Sequence, residues 1–255
     1  MKIAFHKYQG TGNDFVMIDG RNGLVLSIPQ IKFLCDRKFG IGSDGVIILR
    51  NSERADFYMD FYNPDGSQSF CGNGSRCAVL YAHRLGIVSE NGVFEAIDGS
   101  HEFEMTGETI QIRMRDVNKI DRRSDDFVIN TGSPHYIIYT DNVEAIEIVG
   151  EAKKIRYNEE FAKSGINVNF VEPIDGGIKM RTYERGVEGE TLSCGTGVTA
   201  AALSWGIRSN AGDKIKVTTP GGELFVKLKG DSDTSFTNIW LCGPAREVFY
   251  GEIEI

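Results

Sequence analysis

One motif occurs twice in this chain, and the repetition limits the fold more than any other feature. Cys71-Gly72-Asn73-Gly74 and Cys194-Gly195-Thr196-Gly197 each set a cysteine before a Gly-x-Gly turn. Each then enters a small-residue segment of helical character, Ser75 to Ala82 and Val198 to Trp205. A glycine stands five residues before each cysteine, Gly66 and Gly189. Further back, Thr11-Gly12-Asn13-Asp14 is matched by Thr131-Gly132-Ser133-Pro134; 58 residues separate Asn13 from Cys71 and 61 separate Ser133 from Cys194. Similar landmarks in one order at near-constant spacing describe two copies of one supersecondary unit, at a period too long for a solenoid. The expectation is a duplicated protein with a cleft between its copies. The first domain is placed at 1–120 and the second at 121–245, with a last strand at 246–255 that either closes the second domain or returns to the first.

Composition sets the outer bounds. The 255 residues are 41% hydrophobic and 25% charged, so two modest domains can each bury a core. A net charge of −8 without a Lys/Arg cluster argues against nucleic acid, which needs a basic face. The longest aliphatic run is Val46 to Leu49, too short to span a bilayer, and Met1 to Tyr8 is too short and polar for a signal peptide. Five cysteines are an odd number without disulfide-framework density, which points to a reducing cytoplasm. The oligomeric state is not legible; a homodimer is compatible with the sequence.

Patterning predicts strands at 2–5 and 15–18 around a glycine-rich loop at 9–14, a helix at 29–38, and a second glycine-rich loop at 39–45. Strands at 46–49 and 55–62 follow, the latter delivering Asn63. A helix at 72–85 stops at Gly86. Hairpins fill 92–115, and the mixed-charge stretch Asp116 to Asp126 reads as a linker. Strands are predicted at 127–130 and 136–139, a helix at 156–163, and a strand at 166–171 with Asn167 and Asn169 on one face. A strand at 178–183 leads to Glu184-Arg185. A helix at 195–207 and strands at 214–218, 223–229 and 237–241 complete the second copy. Arg76, early in its helix, is expected on the solvated surface, and Cys77 in the core. Cys35 and Cys242 read as bystanders.

A thiol at a helix N-terminus lies at the positive end of the dipole, which favours its thiolate, while adjacent glycines let backbone N–H groups approach an anion. Two such thiols suit inversion at an amino-acid α-carbon: one removes a proton from one face, the other returns one to the opposite face. An ordinary cysteine pKa of about 8.5 allows that division of roles near neutrality. The developing charge would be met by two helix N-termini, as in an oxyanion hole, without pyridoxal phosphate or metal. No Cys-x-x-Cys or His-x-x-x-His spacing marks a metal site. Gly195-Thr196-Gly197-Val198-Thr199-Ala200 fits a dinucleotide pattern only weakly, because polar Glu188 to Thr191 precede it where a buried strand should be. His135, in the loop matching that of Asn13, and Glu184 and Arg185, at the strand end before the second cysteine, complete the candidates.

At these residues the sequence resembles the diaminopimelate epimerase family. The likeness runs through Phe5 to Phe15, Asn63-Pro64-Asp65-Gly66, Cys71 to Cys77, Asn167-Val168-Asn169-Phe170, Glu184-Arg185-Gly186 and Gly189 to Gly197, and so covers nearly the whole chain. It implies an α+β fold of two homologous domains, each a curled mixed or antiparallel sheet around a central helix, with the active site in the cleft between them. It implies interconversion of LL- and meso-diaminopimelate, with no cofactor. Cys71 and Cys194 would be the acid/base pair, assisted by His135 and Glu184. Gly72, Asn73, Gly195 and Thr196 would cradle the carboxylate, and Asn13, Asn63, Asn167 and Arg185 would hold the remaining groups. Three departures stand out: Ser133 where the family often has asparagine, Gly45 where many members have glutamine, and a loop at 185–191 one residue longer than the common form. Two alternatives stay open, a proline or hydroxyproline racemase-type isomerase and a non-catalytic amino-acid-binding or thiol-sensing protein.

Overall fold

The computed structural model describes residues 1–209, 212–232 and 234–255, and its backbone divides into two units, residues 1–112 with 243–255 and residues 113–242. The first unit opens with strands β1 (Lys2–Gly10) and β2 (Asn13–Asp19), then helix α1 (Ile28–Cys35), β3 (Gly45–Arg50), β4 (Phe57–Tyr62), helix α2 (Gly72–Arg84), β5 (Asn91–Ala96), β6 (Gly99–Thr106) and β7 (Thr109–Arg113). The second contains β8 (Ile120–Arg123), β9 (Asp126–Asn130), β10 (Pro134–Tyr139), helix α3 (Ile148–Arg156), β11 (Asn167–Ile174), β12 (Gly177–Glu184), the short β13 (Gly189–Thr191), helix α4 (Gly195–Ser209), β14 (Lys214–Thr219), β15 (Gly222–Ser232) and β16 (Ser235–Gly243). The chain ends in β17 (Arg246–Glu254), which pairs antiparallel with β1 and so belongs to the first unit.

The two units repeat one topology. The first has the order β17-β1-β2-β3-β4-β5-β6-β7, in which only β2–β3 and β4–β5 are parallel. The second has the order β8-β9-β10-β11-β12-β14-β15-β16, in which only β10–β11 and β12–β14 are parallel. Each parallel pair is bridged by a helix, as parallel strands require. β17 therefore fills in the first unit the place that β8 fills in the second.

Continuous apolar strands report cover on both faces. In β3, Ile47 and Leu49 join the core that holds Cys77, Ala78 and Val79 of α2, while Val46 and Ile48 join Ile31, Leu34 and Cys35 of α1. In β11, Val171 packs with Ala200 and Ala201 of α4, whereas Val168 and Phe170 pack with Ile148 and Ala152 of α3. The central helices α2 and α4 are buried on nearly every side, and their glycine, alanine and serine residues let the surrounding strands come close. A Schellman arrangement stops α2: Gly86 (φ +71°) and Ile87 donate to the carbonyls of His83 and Ala82 at 3.0 and 2.9 Å.

Three elements differ from expectation. The segment Asp116 to Asp126 is no linker: Val117 bridges Phe236, and Ile120–Arg123 is a strand paired with β9. Its exposed Asp121 and Arg122 mask an apolar face of which only Ile120 is visible. The helix expected at 156–163 is α3 at Ile148–Arg156, capped by Glu147 accepting the N–H of Gly150 at 2.8 Å; residues 157–164 are turns around buried Phe161. The helix expected at 29–38 ends at Cys35, because the Asp36 carboxylate accepts the N–H groups of Lys38 and Phe39 and turns the chain. Among the described residues no helix is long and apolar enough to cross a membrane.

Candidate active site

In the first unit the sulfur of Cys71 lies at the head of α2. Its carbonyl accepts the N–H of Ser75 at 2.8 Å and its Sγ accepts that of Gly74 at 3.4 Å, so Cys71 caps the helix where the dipole is positive. Gly74 makes room for this: a Cβ there would stand 2.9 Å from Ile47 Cδ1. Asn13 is oriented from behind, its Nδ2 donating to Asp44 Oδ2 at 2.6 Å. Its Oδ1 therefore turns to Cys71 Sγ at 3.7 Å and Asn73 Nδ2 at 3.5 Å. Beneath it, Asp14 is tied to Lys7 and Arg37; burial alone would raise its carboxyl, but their hydrogen bonds outweigh that and hold it at about 2.

Arg76 overturns the expectation of a solvated side chain. It is wholly buried, its Nη2 donating to Asn73 Oδ1 at 3.0 Å and Thr11 Oγ1 at 2.9 Å, and its Nε to the carbonyl of Pro244 at 3.2 Å. The spacing carried a signal, since residues three apart share a helix face. Asn63 lies within its own turn, donating to the hydroxyls of Ser67 and Ser69 at 3.1 and 3.2 Å. At Gly45 a Cβ would stand 2.3 Å from the Phe61 ring and 2.7 Å from the carbonyl of Tyr62, so only backbone fits. Gly72 and Asn73 form the buried first turn of α2.

The second unit gathers more of the candidates. The carbonyl of Cys194 accepts the N–H of Val198 at 2.8 Å, the same capping position as Cys71. Its Sγ is 3.4 Å from Thr196 Oγ1, which is 2.9 Å from His135 Nε2. The Thr196 carbonyl accepts from Thr131 Oγ1 at 2.8 Å, which anchors the Gly195-Thr196 turn. His135 is fully buried, and that burial, with the charge of Arg185 adding to it, pushes its pKa down to about 3; it is neutral at ordinary pH. Asn169, also buried and on the strand face shared with Asn167, lies 3.1 Å from His135 Nδ1.

Asn167 is a brace. Its Nδ2 donates to Ser133 Oγ at 2.8 Å and the carbonyl of Pro134 at 2.9 Å, and its Oδ1 accepts the N–H of Arg185 at 2.8 Å. Ser133 thus holds the network from the position where the resembled family often has asparagine. The exposed Arg185 donates through Nη1 to the carbonyl of Ser164 at 2.9 Å and stands 3.5 Å from Ser133 through Nη2. Glu184 accepts from Thr191 Oγ1 at 2.9 Å, across the hairpin that leads to Cys194.

Each unit therefore offers a thiol at a helix head, N–H groups of a glycine turn, and an amide or hydroxyl within reach of the sulfur. That combination suits proton transfer at a carbon whose neighbouring carboxylate gains charge. Among the described residues no group of three or more His, Cys, Asp and Glu is placed to hold a metal ion.

Comparison with known proteins agrees with the duplication. The protein named diaminopimelate epimerase from Flavobacterium psychrophilum is 43% identical over 253 residues, covering 97% of this chain and 98% of that protein. Among solved structures, a phenazine biosynthesis protein of the PhzF family from Bacillus anthracis superposes with a TM-score of 0.73 at 16% identity over the full length of both chains. A probable proline racemase from Agrobacterium radiobacter gives 0.69 at 19% identity, covering 99% of this chain and 93% of that one. At such identities these two show the shared fold alone. The family model described as diaminopimelate epimerase matches residues 5–120 and 127–248, one match to each half, and with the close relative it establishes that the chain belongs to the diaminopimelate epimerase family.

Proposed function

We propose that this protein interconverts LL- and meso-diaminopimelate by proton transfer between Cys71 and Cys194 at one α-carbon. The observation that carries the reading is the pair of equivalent helix-capping cysteines, one in each copy of a duplicated unit, in a chain of this family. One sulfur, as thiolate, takes the α-proton; the electron pair left on carbon delocalises into the adjacent carboxylate; the other sulfur, as thiol, gives its proton to the opposite face. The net change is one inverted centre, with thiol and thiolate exchanged.

The same reading assigns the remaining roles from the family likeness. The N–H groups of Gly72, Asn73, Gly195 and Thr196 meet the reacting carboxylate at two helix heads. Asn13 and Asn73 bear on Cys71, while His135 and Thr196 bear on Cys194. Asn63, Asn167 and Arg185 select the distal amino-acid end, where an arginine fork suits a carboxylate. Glu184 assists at the reacting centre with His135, Ser133 supports the Asn167 network, and Gly45 contributes backbone only. The distal carboxylate is also where this reading parts from a proline racemase, whose substrate has none. The protein is read further as a cytoplasmic homodimer in the lysine pathway, acting on a small molecule without nucleic acid, membrane or cofactor.

Incubation of the reduced protein with LL-diaminopimelate in heavy water tests the reading. The expected product is meso-diaminopimelate carrying deuterium at one α-carbon. Folded, reduced protein that neither epimerises nor exchanges that position overturns it.

A further inference from the structure

Asn169 lies one residue pair beyond the groups assigned above, yet it determines which way their protons point. Its amide can sit only one way round. Oδ1 accepts the hydroxyl of Thr182 at 3.0 Å, and Nδ2 donates to the carbonyl of Tyr136 at 3.2 Å. The same Nδ2 is 3.1 Å from His135 Nδ1. A donor facing Nδ1 requires a lone pair there, so the ring proton of neutral His135 is on Nε2. Nε2–H then donates to Thr196 Oγ1 at 2.9 Å, and the hydroxyl proton of Thr196 is left to donate to Cys194 Sγ at 3.4 Å.

We propose that Asn169, held by Thr182, is a positioning residue that fixes His135 in its Nε2–H tautomer and thereby makes Thr196 a hydrogen-bond donor to Cys194. A donor to sulfur favours thiolate over thiol. The opposite tautomer would turn the Thr196 hydroxyl back toward Nε2 and leave the sulfur without it. Gly197 is part of the device, because a Cβ there would stand 2.7 Å from Asn169 Oδ1 and 3.3 Å from His135 Nδ1. The charged groups on the neighbouring strand end are Arg185, whose charge acts on His135, and Glu184, which accepts from Thr191 Oγ1.

The proposal concerns the site assigned under the proposed function, but its test does not depend on epimerase activity. Nitrogen-15 NMR of histidine-labelled protein reads the tautomer of His135 directly, assigned among the four histidines by a His135→Gln variant. The expected spectrum at neutral pH has a pyrrole-type Nε2 and a pyridine-type Nδ1; the reverse pattern or an imidazolium overturns the proposal. Alkylation of Cys194 by iodoacetamide, followed by peptide mass spectrometry, reads the thiolate. Asn169→Leu should mix the tautomers and slow that alkylation by about twofold for an even mixture, approaching the roughly tenfold worth of one hydrogen bond to a charged group as the Nδ1–H form takes over. Cys71 provides the internal reference rate. Thr196→Val should slow Cys194 by roughly tenfold while leaving the tautomer of His135 unchanged, and it serves where Asn169→Leu does not fold. Unchanged Cys194 reactivity in Thr196→Val overturns the proposal. A wild-type protein with the expected spectrum and reactivity but no epimerase activity would sink the functional reading alone.

Discussion

The carboxylate of Asp44 takes the amide nitrogen of Asn13 at 2.6 Å, and this contact decides which end of Asn13 faces Cys71. An amide has two nearly isosteric ends, and only a fixed acceptor can specify the orientation. Asp44→Asn removes that bias with little change in shape. It should lower kcat by roughly tenfold, since a hydrogen bond to a charged group is worth about 1.5–3 kcal/mol and the amide can then turn over. Steady-state kinetics beside a circular dichroism melt would check this; a kcat within twofold of wild type would show the contact to be idle.

Arg76 makes a prediction about stability. Its guanidinium binds Asn73, Thr11 and the carbonyl of Pro244 from a wholly buried position. Arg76→Met keeps much of the volume but takes the donors away from all three acceptors, which should cost about 2–4 kcal/mol. Arg76→Lys should recover little, because an ammonium cannot reproduce the fork. Urea unfolding of the three proteins distinguishes these outcomes, and a neutral Arg76→Met would contradict the assignment.

The duplication was legible because its landmarks are short-range: a cysteine, a Gly-x-Gly turn and small residues adjacent in sequence. The topology that repeats around them was legible only in part. β8 was read as linker because Asp121 and Arg122 hide its one buried residue, Ile120. Cys71, Cys194, Asn167 and His135 stood out by type and place. Asn169, Thr182, Asp44 and Arg76 did not, because their importance lies in partners 13 to 34 residues away, or in burial that charge conceals. Pattern reading sees residues marked by type and motif more readily than those that hold them in place.

Acid should weaken the fold through His135. Its pKa falls from an ordinary 6.5 to about 3 on folding, mainly by burial. Between those values the unfolded chain binds the proton and the folded one does not, so stability is complete above about pH 6.5 and declines as pH drops toward 3. The slope is about 1.4 kcal/mol per pH unit for this group. His6 shifts in the same direction, by burial and then Arg84, but it is only part-buried and contributes less. Unfolding free energies measured from neutrality to pH 4 should fall, and His135→Gln should flatten the curve. An equal slope in the variant would contradict the buried neutral imidazole.

Each cysteine should be separately indispensable. In Cys71→Ser and Cys194→Ser one acid/base group becomes a hydroxyl that hardly ionises near neutrality, while backbone capping at either helix head is retained. Epimerisation should drop by at least a hundredfold or so in each, the usual range for losing a general acid or base. Binding of diaminopimelate, followed by calorimetry, should remain measurable. A variant with near-normal turnover would exclude a two-thiol mechanism.

Gly197→Ala sets two effects of opposite sign against each other. Alanine is favoured over glycine in a helix interior by about 1 kcal/mol, and less this close to the start of α4. Against that, the new Cβ would lie 2.7 Å from Asn169 Oδ1 and 3.2 Å from His135 Cε1, both buried and both held by other hydrogen bonds. Overpacking of this kind costs about 1–3 kcal/mol, so the clash should win and the variant should be less stable. The neighbours it displaces are those that orient Thr196, so kcat should fall beyond what the lost stability explains. Gly189→Ala, where a Cβ meets nothing within 4 Å, is the control in the same unit and should leave both quantities within error. Thermal melts and kcat for the two variants decide the matter: a stabilised, fully active Gly197→Ala protein would mean that His135 and Asn169 can move aside without consequence for Cys194.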